Sequence, residues 1–471
     1  MSIIIPANSA VGGGYDVDNS CRFNDNSSDY MTRSESSGTS NQKSTFSTWF
    51  KRGGISDDHY FFDQHTNTSN SQRFQLRADD RLQLYAANGG STIISIITTQ
   101  VFRDVSAWYH IVLALDSTQG TASDRVKFYV NGTRVTAFDS ATYPNQNTDL
   151  KMNASGITYY LGTYGGATSS YSYDGYMSET VYIDGTQNDV TDFGEFDGDS
   201  GIWVPKSVSG LTFGNNGFYL DFEDSSALGN DAAGSNNLTL YNLTAIDQTT
   251  DTCTNNFCTA NPLHHGSGSI SNAPLSDGNL TFTSSQAGSP YPYYFSTFAA
   301  SQDKWYAEFK VTTANSAIIG IGTGAPSGFL GAGLYDYAYY YDGTFYNYGS
   351  NQGSQSSYTD GDIIGVALDL DNNKIYVAKN NTWQHSGNPA GNSGGYTIVA
   401  PASQTGSTST GVYHIAYGDS GGGTPAIQGN FGNPPFTGTD QADGNDRGSF
   451  EYAPPSGFLS LCTKNLSEVL S

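Results

Sequence analysis

GDIIGVALDLDNNKIYVAKNNTW, residues 361–383, reads as three short strands separated by two tight turns. Ile363 to Leu370 is an apolar run of strand length, broken at Asp371-Asn372-Asn373. Lys374 to Lys379 then alternates, and Asn380-Asn381 turns the chain again before Trp383. Asn and Asp tolerate the positive φ that two-residue hairpin turns demand, so they punctuate the strands here. Residues 108–135, WYHIVLALDSTQGTASDRVKFYVNGTRV, repeat the layout and close on an Asn131-Gly132 turn. Two such cassettes, about 250 residues apart, predict two antiparallel β-sandwiches in tandem.

Composition agrees with an all-β chain. Of the 471 residues only 14% are charged, while Gly (55) and Tyr (33) are abundant. Helix formers at 3.6-residue spacing are scarce. Short runs of Val, Ile, Thr, Tyr and Phe, bounded by Gly, Asn, Ser and Asp, recur from end to end. In Val126, Phe128 and Val130 the apolar side chains share one face, with Lys127 and Tyr129 opposite, the period-2 pattern of a half-buried strand. The formal charge is −24, with no Lys/Arg cluster. A polyanionic nucleic acid is therefore not an expected partner, and the charge reads as a solubility device. No run approaches the ~20 apolar residues of a membrane helix, so membrane insertion is not expected.

The expected domains are a first sandwich within 1–245, a linker at 246–275, and a second sandwich with a C-terminal tail at 276–471. Strands expected in the first include Cys21–Phe23, Thr45–Lys51, Phe74–Arg77, Leu82–Tyr85, His110–Leu115, Tyr159–Gly162, Met177–Ile183 and Phe218–Phe222. In the second they include Trp305–Val311, Ala317–Ile321, Ile363–Leu370 and Ile375–Ala378.

Two family resemblances attach to these segments. FSTWFKR (46–52), WYHIVLALD (108–116), VKFYVNG (126–132) and YDGYMSETVYIDG (173–185) resemble a concanavalin A-like, laminin-G-type jelly roll. DKWYAEFKV (303–311), AIIGIGTG (317–324) and the 361–381 hairpin resemble a SPRY domain. The stretches at 215–239, 251–263 and 453–466 are similar to tailed-phage structural proteins, particularly of marine phages. The resemblance implies a non-enzymatic virion protein, an exposed fibre, appendage or head-decorating component that binds host surface glycan or protein. Its expected partners are other virion proteins, further copies of itself, and that host ligand. A purely structural capsid or tail subunit is one alternative, and a glycan-degrading hydrolase another. MSIIIPANSA carries no basic n-region, so no secretory signal is expected. Synthesis in the host cytoplasm and release by lysis would reconcile that with an adhesive-looking composition. Cys253 and Cys258 stand where the phage junction has Pro and Ala-like residues, and the pair implies a small-loop disulfide in the released particle.

Several motifs invite chemistry and are read more simply. GDSGG at 418–422 resembles the nucleophile stretch of chymotrypsin-like proteases, but none of the seven His lies in a matching strand motif. Ser420 reads as a turn residue. GEFDGD at 194–199 alternates Glu195, Asp197 and Asp199 as a jelly-roll glucanase strand does, yet its glycines favour a surface loop. DLDNNK at 369–374 starts like a calcium loop but has Lys374 where an EF-hand needs Gly. No cofactor or metal is assigned; calcium is compatible with the acidic loops, but no cluster singles itself out. Zinc would need four ligands, and only His264-His265 lies near the cysteine pair. The glycine-rich 320–328 run opens no helix and so offers no pyrophosphate site. The ligand-binding candidates are tyrosines. Tyr335, Tyr337, Tyr339 and Tyr341 alternate on one face of an extended strand, and Tyr346 and Tyr348 follow the next turn. Tyr159, Tyr160, Tyr164, Tyr171, Tyr173 and Tyr176 form a looser group in the first sandwich. Core or intersubunit filling explains either set as well as ligand contact does.

Overall fold

The computed structural model describes residues 14–150, 153–268, 270–285, 291–325 and 328–468. The MSIIIPANSA stretch and residues 326–327 of the glycine-rich run lie outside them. The described residues form two compact units, 14–255 and 256–468. Both are β-sandwiches, and Thr463–Glu468 is the one α-helix among the described residues.

In the first unit, one sheet centres on Lys43–Arg52, flanked by Trp108–Asp116 on one side and Gly175–Asp184 on the other. Val126–Val130 extends it outward from Trp108–Asp116, and Ser20–Phe23 extends it from Gly175–Asp184. The other sheet runs Phe138–Thr142, Ser91–Val101, Arg81–Asn88, Asn70–Leu76, His59–Asn67, Thr158–Leu161, Tyr30–Ser34, Thr239–Tyr241. Between them lies an aromatic core that includes Phe46, Phe50, Phe62, Phe74 and Tyr159. Phe128 joins it as its alternation predicts, while Tyr129, from the opposite face of the strand, is buried in a second cluster. That second cluster forms because the 190–217 segment folds over the outside of the first sheet, seating Trp203 and Val208 beside Trp49 and Trp108.

In the second unit, Ile363–Asp369, Lys374–Lys379 and Thr382–Trp383 form the expected three-stranded meander. Asn373, Asn380 and Asn381 take positive φ, at 54°, 46° and 61°. The Asp369 carboxylate accepts from Asn372 N (2.9 Å) and Nδ2 (2.9 Å) and pairs with Lys304 at 3.3 Å. The turn is thus built by the acid that opened the calcium-like motif. GDSGG likewise ends the Tyr413–Asp419 strand in a turn with Gly421 and Gly422 at positive φ.

Two expectations are corrected. The 246–275 stretch is no linker: Gln248–Thr249 pairs with Ser20–Phe23 in the first unit, and Ala260–His265 pairs with Tyr293–Ala300 in the second. Its polar composition hid these strands because they are edge strands with few apolar residues. Cys253 and Cys258 form no disulfide; each is a buried thiol. Cys253 is buried in the cluster around Trp49 and Trp203, and Cys258 in the core of the second unit, each thiol claimed by its own unit.

Consecutive cations end the central strand of the first unit. Side chains alternate across a strand, so Lys51 and Arg52 serve opposite faces, each with its own buried carboxylate. Lys51 Nζ lies 2.8 Å from Asp251, which also accepts from Trp108 Nε1 at 3.0 Å. Arg52 Nη1 lies 2.8 Å from Asp80, and both side chains are fully buried. Breaking such a pair strands an uncompensated charge. Asp80→Ala is expected to destabilise the protein by about 3 kcal/mol or more, read as a lowered midpoint of the first unit's denaturant transition.

Candidate functional site

The flagged tyrosines of the second unit are mostly core. Tyr335, Tyr337 and Tyr339 are buried, and their alternation marks the face of Tyr337–Tyr340 that turns inward. Their hydroxyls are tied to backbone: Tyr335 donates to Thr405 O (2.8 Å), Tyr337 accepts from Val399 N (3.0 Å), and Tyr339 donates to Ser356 O. Tyr341 packs half-buried against the same core. Tyr346 lies half-buried on Tyr340, with ring centroids 4.6 Å apart, and Tyr348 alone is well exposed, at 66%. These six do not converge on a ligand surface.

The looser group in the first unit divides. Tyr159, Tyr173 and Tyr176 are buried. Tyr160, Tyr164 and Tyr171 stand on the outer face of the second sheet, where the register assembles a row across adjoining strands. Tyr160 pairs with Asp63, Asp63 with Arg73, and Arg73 with Tyr85. Tyr30 extends the row, 6.4 Å from Tyr160 and stacked at 4.4 Å on Tyr241, which is 42% exposed. The connection after Thr158–Leu161 folds back over this face. Gly165 N donates to Asp63 (3.0 Å), and the Tyr164 ring sits 5.4 Å from His65 and 5.4 Å from the Arg73 guanidinium. Arg73 also lies over Tyr85 at 4.4 Å. Tyr171, 40% exposed, continues the aromatic surface 6.0 Å from Tyr164 and 6.0 Å from Tyr60.

Tyr171 is also a wall of a pocket of about 320 Å³ at the rim of the unit, lined by Asp25, Asp57, Asp58, His59 and the serines 169, 170 and 172. The pocket loop is positioned by Asp80, which accepts from Ser56 N at 3.0 Å. Asp58 anchors it further, accepting from Ala78 N at 2.9 Å. Crowding among the loops, then the like charge of Asp57, push the Asp25 carboxyl above its ordinary value, although the residue itself is exposed to solvent. Burial, and then the Arg52 guanidinium, push His59 down to about 3, so its ring is neutral. Sequence reading missed Asp25, Asp57, Asp58, His59, Arg73 and Tyr85. The SDDH run at 56–59 was the available signal.

Three arrangements bear on the hydrolase alternative. Glu195 and Asp199 are exposed on a two-stranded surface hairpin, and Asp197 closes its turn by accepting from Ser200 N at 2.7 Å. Ser47 Oγ lies 2.9 Å from His110 Nε2, a nucleophile-to-base spacing. But Trp203 Nε1, which can only donate, lies 3.0 Å from His110 Nδ1. Nδ1 must accept, so Nε2 carries the proton and donates to Ser47, leaving no lone pair to activate it. Glu179, at φ 49° on a bulge of Gly175–Asp184, is buried and accepts from Tyr219 (2.8 Å) and Tyr15 (3.2 Å).

Residues 25–188 match the family model described as Laminin_G_3, of the concanavalin A-like lectin/glucanases superfamily. No curated protein matches the chain. Solved structures similar to it include the SPRY domain of human HERC1, at 14% identity and TM-score 0.27, covering 36% of this chain and 96% of that one. A heptameric SAP-like pentraxin from Limulus polyphemus is 15% identical with TM-score 0.26, over 36% of this chain and 78% of its own. A candidate carbohydrate-binding protein from Bacteroides ovatus is 17% identical with TM-score 0.32, over 49% and 61%. The chain is all-β, with a concanavalin A-like, laminin-G-type first sandwich; likenesses this distant assign no activity.

Two buried carboxyls make the first unit's stability depend on pH. Burial raises Glu35 to about 8, against the pull of Arg33 at 3.5 Å, and raises Glu179 to about 7, against its tyrosine hydrogen bonds. Both hold a proton in the folded state that the unfolded chain releases above its ordinary 4.5. Their contribution is therefore complete below that value and is lost as pH rises through 7 to 8. Glu35→Gln and Glu179→Gln should each flatten this decline in thermal melts taken across that range.

Proposed function

We propose that the chain is a non-enzymatic glycan-binding protein of a virion, displayed as a fibre, appendage or head-decorating component. The observation that carries the binding reading is the set of Tyr160, Arg73 and Tyr85 on an outer sheet face, with Asp63 buried among them and holding the covering loop, continued by Tyr164 and Tyr171 to a polar pocket. Pyranose rings present an apolar face and a rim of hydroxyls. Tyrosine rings match the first with large contact area, and carboxylates, serines and a guanidinium match the second with directional hydrogen bonds. The lectin-containing superfamily of the matched region supports the same reading. The virion assignment rests on the resemblance of 215–239, 251–263 and 453–466 to tailed-phage structural proteins. Weak sites of this kind gain avidity when many copies are displayed together, so assembly into a homo-oligomer belongs to the proposal.

The test is a multivalent glycan array with the full chain, followed by calorimetry on the best ligand. Tyr171→Ala and Arg73→Ala should each weaken binding about tenfold, whereas Tyr348→Ala in the second unit should leave it unchanged. Absence of binding to any glycan at high valency would sink the reading. A density map of the intact particle checks the location: burial of the Tyr171 face between other subunits would count against a receptor role.

A further inference from the structure

The rim pocket has an imbalance that the sheet face lacks. Asp25, Asp57 and Asp58 line it, and no Lys or Arg does. The nearby guanidiniums are engaged elsewhere: Arg52 on Asp80 and Phe102 O, and Arg77 and Arg81 on Asp79. His59 supplies no compensating charge, because its ring is neutral. His59 is also an observation independent of the carboxylates. It is only 2% exposed, it lines the pocket, and its Nδ1 has no hydrogen-bond partner. A buried ring nitrogen without a partner is costly unless a ligand or an ordered water completes it.

The spacing of these groups narrows the ligand. Among the described residues no three acidic, His or Cys side chains are grouped closely enough to hold a metal ion. The carboxylates share a field without sharing a chelation point. Such a field suits a cation spread on a larger organic frame. At about 320 Å³ the pocket lies at the small end of ligand sites, a volume suited to one sugar unit. Ser169, Ser170 and the Tyr171 ring offer that unit hydroxyl and apolar contacts.

We propose that this pocket takes the ammonium group of an amino sugar, so that the chain prefers glycans with free amines over their N-acetylated or acidic counterparts. The inference rests on the glycan-binding reading and names the sugar class of that site. The ammonium sits between Asp25 and Asp57, relieving their mutual repulsion, and a ring hydroxyl meets His59. Tyr171 joins the occupied pocket to the tyrosine face, so an oligomer can span both.

The experiment is titration calorimetry of the full chain at pH 5.5 with a glucosamine hexamer, its N-acetylated form and a uronic acid hexamer. The glucosamine hexamer should bind at least tenfold tighter than the N-acetylated one. Asp25→Asn and Asp57→Asn should each remove threefold or more of that preference. Asp199→Asn, at an exposed hairpin remote in sequence from the pocket, controls for attraction of polycations to an acidic protein. An equal loss in Asp199→Asn overturns the assignment, as does equal affinity for the two hexamers. In the latter case glycan binding itself stands when Tyr171→Ala weakens both hexamers alike. If no hexamer binds and the glycan array is also blank, the glycan-binding reading fails with it.

Discussion

The Arg52–Asp80 pair organises the side of the first sandwich on which the candidate site depends. Burial works to raise the Asp80 carboxyl, yet it is held below the ordinary range by the Ser56 N–H and the guanidiniums of Arg52 and Arg103. Each of those bonds fixes a different segment. Arg52 ends the central strand, Ser56 begins the loop that carries Asp57 and Asp58, and Arg103 follows Phe102, whose carbonyl also accepts from Arg52. The same guanidinium helps keep His59 uncharged. A buried ion pair is weak evidence for net stability, because desolvation offsets much of its Coulomb gain. Its consequence here is positional: an acidic loop that would otherwise repel itself is fastened to a central strand of the sheet.

Legibility in the sequence followed hydrogen-bond regularity. Strands with unbroken pairing, such as Ile363–Asp369 with Lys374–Lys379, show clean runs and Asn turns, and both cassettes fold as their patterns predict. His59–Asn67 was illegible for a specific reason. A bulge between Tyr60 and Phe62 slips the phase, so Phe61 and Phe62 both enter the core and HYFFDQ loses its alternation. With that strand hidden, its partner Asn70–Leu76 was recognised only in part, and Asp63 and Arg73 could not be placed on one face. Gly175–Asp184 carries a comparable bulge between Ser178 and Val181, but its longer apolar content kept it readable.

The tyrosines show the limit of periodicity from the other side. Alternation at 335–341 correctly groups the rings on one face, yet it carries no information about which face is inside. Burial is settled by what lies opposite, here the Phe345, Tyr396 and Tyr413 core. Tyr160, Tyr164 and Tyr171 have no regular spacing, because one comes from a strand and two from the loop folded over it. Their neighbours Asp63, Arg73 and Tyr85 come from three further strands and meet only through register.

That origin has a consequence for how such a site is tuned. The sheet row is set by backbone pairing and changes only with the side chains placed in it. The rim pocket instead draws its carboxylates from two loops, one before Asp29 and one anchored by Asp80, so its charge can vary without disturbing a strand. A chain with a formal charge of −24 owes little of its solubility to these three acids. Concentrating them around a neutral histidine whose Nδ1 lacks a hydrogen-bond partner opposes the spreading that self-repulsion favours. The arrangement is therefore better explained by what enters the pocket than by the surface chemistry of the protein as a whole.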